Sequence, residues 1–125
     1  MREILFRGKD LDTKRWIYGD LVQTFAIDGI LTPCAISVPL LEPRTIYIIP
    51  ETLGQFTGMT DGAGTKIFEG DICELEDDDG NTSRFTVVWD KFRFRVVQGD
   101  VFYYDLNGDF CDRAVVIGNI HDNTE

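Results

Sequence analysis

A chain of 125 residues with 43% hydrophobic side chains is long enough to bury a core and too apolar to be disordered. Its 12 basic and 22 acidic residues leave a formal net charge of -10, a field that repels nucleic acid unless the cations are segregated. Cys34, Cys73 and Cys111 are too widely spaced for a disulfide framework or a CxxC zinc pair, and no apolar run reaches the roughly 18 residues of a membrane span.

The three cysteines are therefore expected as free, buried thiols in a reducing compartment. The opening residues Met1 to Arg7 lead into no apolar stretch of signal-peptide length, so the expected location is cytoplasmic, with no membrane association.

Nine Phe, four Tyr and two Trp favour strands and packed cores, and helical periodicity is scarce. The first expected strand is Arg2 to Arg7. Asp10 to Lys14 is a polar turn, and Trp16 to Thr24 returns to complete an N-terminal hairpin. Asp28-Gly29 turns the chain again. Pro33, Pro39, Pro43 and Pro50 punctuate two apolar stretches, Ala35 to Leu41 and Thr45 to Ile49, and since proline cannot donate to a ladder these are expected as edge strands or a long excursion over the surface. Thr45 to Ile49 is apolar on both faces, so it is either well buried or covered by a partner subunit.

A short helix is expected over 50–56, with Pro50 in its first turn and Glu51 near its positive end. Thr57 to Gly64 is a glycine-rich loop with positive-φ positions. Lys66 to Phe68, the turn Glu69-Gly70-Asp71 and the strand Ile72 to Glu76 follow. A β-meander is expected beyond them. Its turns fall at Asp77 to Asn81, at Asp90-Lys91 and at Asn107-Gly108, and its last strand is Ala114 to Ile120. No internal repeat or linker divides the chain, so a single domain over 1–125 is expected.

Chemistry-bearing residues are few. The sole histidine, His121, is needed for any Ser-His or Cys-His pair, and near the chain end it is more simply a solvent-exposed side chain. Glu74, Glu76, Asp77, Asp78 and Asp79 crowd one hairpin. An EF-hand register with Gly80 sixth puts Leu75 first and Thr86 in the place of the bidentate Glu, and one with Gly108 sixth puts Tyr103 first and Ala114 last. Both fail, which leaves a solvated tip or a weak divalent-cation site. Asp61, Glu69 and Asp71 surround one glycine-rich segment and are the weak candidates for acid-base work or for holding Mg²⁺; turn-capping carboxylates are the structural reading. The glycines fit neither a P-loop nor a dinucleotide fingerprint. In Lys91-Phe92-Arg93-Phe94-Arg95 a strand places three cations on one face and two rings on the other. That face, with Arg84, is either a phosphate-contacting patch or a polar exterior paired with carboxylates.

Three blocks together resemble the YopX family of phage and prophage proteins. Met1 to Arg7 resembles its opening strand, with Trp16-Ile17-Tyr18 as the aromatic strand that follows. Gln55 to Asp61, Gly64 and Lys66 to Ile72 resemble its central signature, and Val116 to Asn123 its closing strand. Gly8 and the 33–50 region depart from the pattern. The resemblance implies a mainly β, partly open barrel-like fold, an origin in phage or prophage genomes and no assigned active site.

The expected function is a non-enzymatic accessory protein acting through protein contacts, as a homo-oligomer and with phage or host proteins. No catalytic residue, cofactor, resident metal or small-molecule ligand is assigned. Two rivals are an acidic mimic of nucleic acid that binds host proteins and a carboxylate- and Mg²⁺-dependent hydrolase using Asp61, Glu69 and Asp71.

Overall fold

Strands form where β-branched and aromatic residues alternate with polar ones between turn residues, and this chain is built of antiparallel strands throughout. The computed structural model describes residues 4–25, 31–38, 44–90, 93–99 and 101–122. The chain divides into two compact units, 1–56 and 57–125. The expected turn at Asp28-Gly29, the prolines at 39 and 43, and Lys91 and Phe92 lie outside the described residues.

In the first unit, β1 (Phe6–Lys9), β2 (Trp16–Phe25), β3 (Leu31–Val38) and β4 (Arg44–Tyr47) stand in the order β4-β3-β2-β1. The N-terminal hairpin is present. Its turn is held by Asp10, whose Oδ1 accepts the N–H groups of Asp12 (2.8 Å) and Thr13 (3.2 Å), and these hold the carboxyl below its ordinary range.

The first strand sits later than expected, at Phe6–Lys9, and Ile4 is exposed. The register explains the shift: Lys9 pairs Trp16, so β1 continues to the edge of the turn. Pro33 pairs only with β2, beside a register shift between Val22 and Gln23, while β4 pairs Ala35 to Val38. A residue without an N–H is tolerated there because no second neighbour asks for one.

A bridge between Asp10 and Ile48 ties the end of β4 back to the end of β1, with Leu11 N–H donating to Tyr47 O (3.0 Å) and Ile49 N–H to Lys9 O (2.8 Å). The first unit thus curls into a partly open barrel wall. The curl depends on Gly8, because a Cβ there would lie 2.5 Å from Ile48 Cδ1 and 3.1 Å from its Cβ.

The helix expected over 50–56 is a correction. Only Pro50–Thr52 turns, as a 3-10 helix, and Leu53 is already extended. Thr52 Oγ1 donates to Ile49 O (2.6 Å) and accepts the Lys9 N–H (2.8 Å), and β5 (Gly54–Thr60) then pairs β1 through Gly54 and Gln55. Ladder hydrogen bonds from β1 outweigh a weak local preference. The loop expected over Thr57 to Gly64 is corrected as well, because 57–60 belong to β5 and only 61–65 form the loop.

In the second unit β6 (Lys66–Phe68) follows that loop. β7 (Asp71–Glu76), β8 (Thr82–Asp90), β9 (Arg93–Gln98) and β10 (Val101–Asp105) then make the expected meander. The hairpin expected at Asn107-Gly108 is the second correction. Asn107 is the N-cap of the helix α1 (Gly108–Arg113), its Oδ1 accepting the Phe110 N–H at 3.0 Å. Asn-Gly suits a tight hairpin or a helix start equally. Burial of Phe110 and Cys111 decides between them.

The last strand, β11 (Ala114–Asn119), returns beside β7, giving the open order β10-β9-β8-β7-β11. Ile67, Cys73, Phe85, Val87, Phe94, Val96, Phe110, Cys111 and Ala114 form the core, with Phe85 meeting Phe110 edge-on at 5.6 Å.

Gly8→Ala tests the curl of the first unit. Overpacking against buried Ile48 costs about 1–3 kcal/mol, read as a lowered denaturation midpoint, and Ile48→Val in the same chain recovers part of it by removing Cδ1.

Candidate functional site

Asp61 opens the loop between β5 and β6 and is only 5% exposed. Its Oδ1 accepts the N–H groups of Ala63 (2.8 Å) and Thr65 (2.9 Å), and its Oδ2 accepts the Val116 N–H of β11 (2.8 Å). The Asp61 N–H donates to Thr65 O (2.8 Å), and the Gly64 N–H donates to Asp61 O (3.0 Å). Gly64 closes this turn at φ +87°, a conformation open to glycine. One carboxylate thus organises the loop and fastens it to a strand 55 residues away in sequence.

Asp71 makes a second latch. It is 1% exposed and its Oδ2 accepts the Phe68 N–H at 2.7 Å, closing the turn through Glu69 and Gly70. Gly70 stands at φ +92°, donates its N–H to Val87 O and accepts the Ile120 N–H. Glu69, the third candidate, is half-buried within this turn. The charges of Asp71 and, less strongly, Asp61 add to burial in raising the Cys73 thiol. Both Asp61 oxygens and Asp71 Oδ2 accept backbone amides, the geometry of turn-capping carboxylates. Among the described residues no three His, Cys, Asp or Glu side chains gather in a group that could hold a metal ion.

Asp77 shapes the acidic hairpin, its Oδ1 accepting the Asp79 and Asn81 N–H groups at 2.9 Å each, while Asp78 faces Arg113 at 3.9 Å. The cations examined as a phosphate-contacting patch are paired across strands. Arg84 meets Glu74 at 3.4 Å, Arg93 meets Asp105 at 3.3 Å, and Arg95 meets Asp90 at 3.4 Å and Asp105 at 3.3 Å. Phe94, between the two β9 arginines, is core, and Trp89 packs edge-on against it while half exposed. His121 is half-buried rather than exposed, and its N–H donates to Asn119 Oδ1 at 2.8 Å.

Two features escaped the sequence. A cleft of about 300 Å³ lies beside α1, lined by Leu75, Asn107, Asp109, Phe110 and Arg113, and α1 itself was not foreseen. The other is on β11, where Val115 and Ile117 are 46% and 45% exposed. Their neighbours Ala114 and Val116 face the core, and an alternating strand signal does not say which face is wet.

Set against known proteins, the chain matches the family described as YopX protein over residues 5–125. The chain belongs to the YopX family. It also resembles a solved structure, that of protein EF1440 from Enterococcus faecalis, at 21% identity with a TM-score of 0.57, over 98% of this chain and 96% of that one. At that identity the likeness concerns the fold. No curated protein sequence matches the chain. Within the YopX signature of this chain, Gly58, Asp61, Gly64, Gly70 and Asp71 all serve backbone geometry, through positive φ at the glycines and amide capture at the aspartates. No helix among the described residues is long and apolar enough to cross a membrane.

Cys73 and Cys111 are free and buried, while the Cys34 side chain lies outside what is described. Burial, reinforced by Asp71, pushes the Cys73 thiol up to about 12, and burial pushes Cys111 up to about 11. A raised thiol favours the protonated folded form, so this contribution is whole below the unfolded value of 9.0 and is lost as pH climbs toward 11 and 12. In a Cys34→Ala background, iodoacetamide at pH 8 is expected to leave both thiols unmodified until denaturant is added. Rapid labelling of the native protein would contradict their burial.

Proposed function

We propose that this YopX protein is a non-enzymatic accessory protein of phage or prophage type that works through protein contacts, beginning with a second copy of itself. The observation that carries the reading is the outer face of the β7-β8-β9-β11 sheet. Exposed Val115 and Ile117 lie on β11, and half-buried Ile72, Val88 and Val97 alternate with the core residues of their own strands. Apolar side chains on an exposed sheet face mark contact surfaces.

The charge around them favours a copy over a foreign acid. A chain of net charge -10 repels itself over most of its surface. On this face, however, Arg84, Arg93 and Arg95 are matched by Glu74, Asp105 and Asp90. Local neutrality lets two acidic copies approach there. The alternating signs also favour self-contact over mimicry of nucleic acid, which needs rows of one sign.

The apolar segment Thr45 to Ile49 lends less support than its sequence suggested. Ile48 is buried within its own unit against Gly8, and of the described side chains Tyr47 is the exposed one. The non-enzymatic reading is supported by the commitment of both Asp61 oxygens and of Asp71 Oδ2 to backbone amides, and the same commitment weighs against a Mg²⁺-dependent hydrolase.

Sedimentation equilibrium of the wild type is expected to give a mass above that of one chain, and Val115→Ser with Ile117→Ser to reduce it to a monomer with an unchanged far-ultraviolet spectrum. A wild type that stays monomeric across micromolar concentrations sinks the proposal.

A further inference from the structure

β11 ends the strand order of the second unit, and its flank away from β7 is the place where another strand would add. That flank is occupied by a loop. Ala114 O accepts the Gly62 N–H at 3.1 Å, and the Val116 N–H donates to Asp61 Oδ2 at 2.8 Å. The carbonyl and amide that a neighbouring strand would engage are therefore both taken, one by backbone and one by a side chain. We propose that the Asp61-Gly62 segment is an edge guard, a strap that keeps β11 from pairing with the β11 of a second copy.

Three observations carry this inference. First, the strap is pre-shaped, since Asp61 holds the Ala63 and Thr65 amides with one oxygen while the other reaches β11. It lies along the strand as a side-chain-built loop with no ladder of its own to extend. Second, the approach is close enough to exclude a side chain: a Cβ on Gly62 would lie 2.7 Å from Asp112 O and 3.5 Å from Ala114 O. Third, the guarded edge is hazardous. It carries exposed Val115 and Ile117, and a bare apolar β-branched edge strand templates pairing with its like. The occupant excluded is a second copy because a strand identical to β11 brings the same alternating apolar residues in register. This edge is distinct from the sheet face proposed above for self-contact.

Asp61→Asn is the direct test. A carboxamide offers one oxygen and one NH₂, so it cannot accept both from the Ala63 and Thr65 amides and from Val116. Gly62→Ala is the second variant; it leaves the carboxylate in place and pushes the strap off Asp112 O. Both are made in the wild-type chain, whose Val115 and Ile117 keep the edge apolar, and mass is read as the change from the wild type.

Hydrogen exchange at the Val116 amide reads the strap, and light scattering reads pairing. Loss of a charge-assisted hydrogen bond is expected to lower Val116 protection about tenfold or more, and the released edge to produce concentration-dependent association. Protection that falls with no gain in mass overturns the guard, and so does protection that does not change. Cys73 and Cys111 report whether a variant is still folded, because both remain unlabelled while the core is closed. If Asp61→Asn fails that check, Gly62→Ala alone decides, by the same two readouts.

Discussion

The second unit depends on one carboxylate. Asp61 is buried, and the structure surrounds it with three backbone N–H donors. A buried anion is tolerated only when its lone pairs are engaged, and each hydrogen bond to a charged acceptor contributes about 1.5–3 kcal/mol. Because the donors come from both its own loop and β11, the group that is costly to bury is also the one that joins distant segments. Asp71 repeats the arrangement on a smaller scale at the turn before β7, and Gly70 between them is fixed to β8 and to the residue after β11. Polar turn chemistry thus adds to the apolar cluster in bringing the two ends of the second unit together.

This accounts for the character of the YopX signature. Its glycines stand where the backbone needs positive φ or a close approach, and its aspartates stand where amides need an acceptor. A motif of Gly and Asp invites a catalytic or metal-binding interpretation, because the same residue types serve both purposes. A metal site needs oxygens that converge on one point, whereas the two oxygens of Asp61 are turned to separate N–H groups. Surface character follows from what is left. The arginines of β8 and β9 are neutralised by neighbouring carboxylates, and apolar Val115 and Ile117 remain exposed on β11.

The mainly β architecture, the N-terminal hairpin, the meander from β7 to β10 and the turn residues Asp10, Asp77 and Gly80 were legible in the order of residues alone, because alternation and turn chemistry act over a few positions. The two helical misreadings have one cause. Pro50 to Phe56 had a permissible helix start but no local reason to refuse a strand, and Asn107-Gly108 had two equally good local uses. In each case the choice was made by partners far along the chain, β1 for the first and the Phe85 and Cys73 core for the second.

The sequence by itself therefore determined the class of fold and the family, both of which reside in composition, short-range pattern and motif spacing. Only the tertiary structure decided what Asp61 does. Its partner Val116 lies 55 residues away, and its own neighbourhood reads equally well as a metal ligand or a turn cap. The physical reason is that a carboxylate's role is set by what faces its oxygens, and at Asp61 those are amides supplied by the fold.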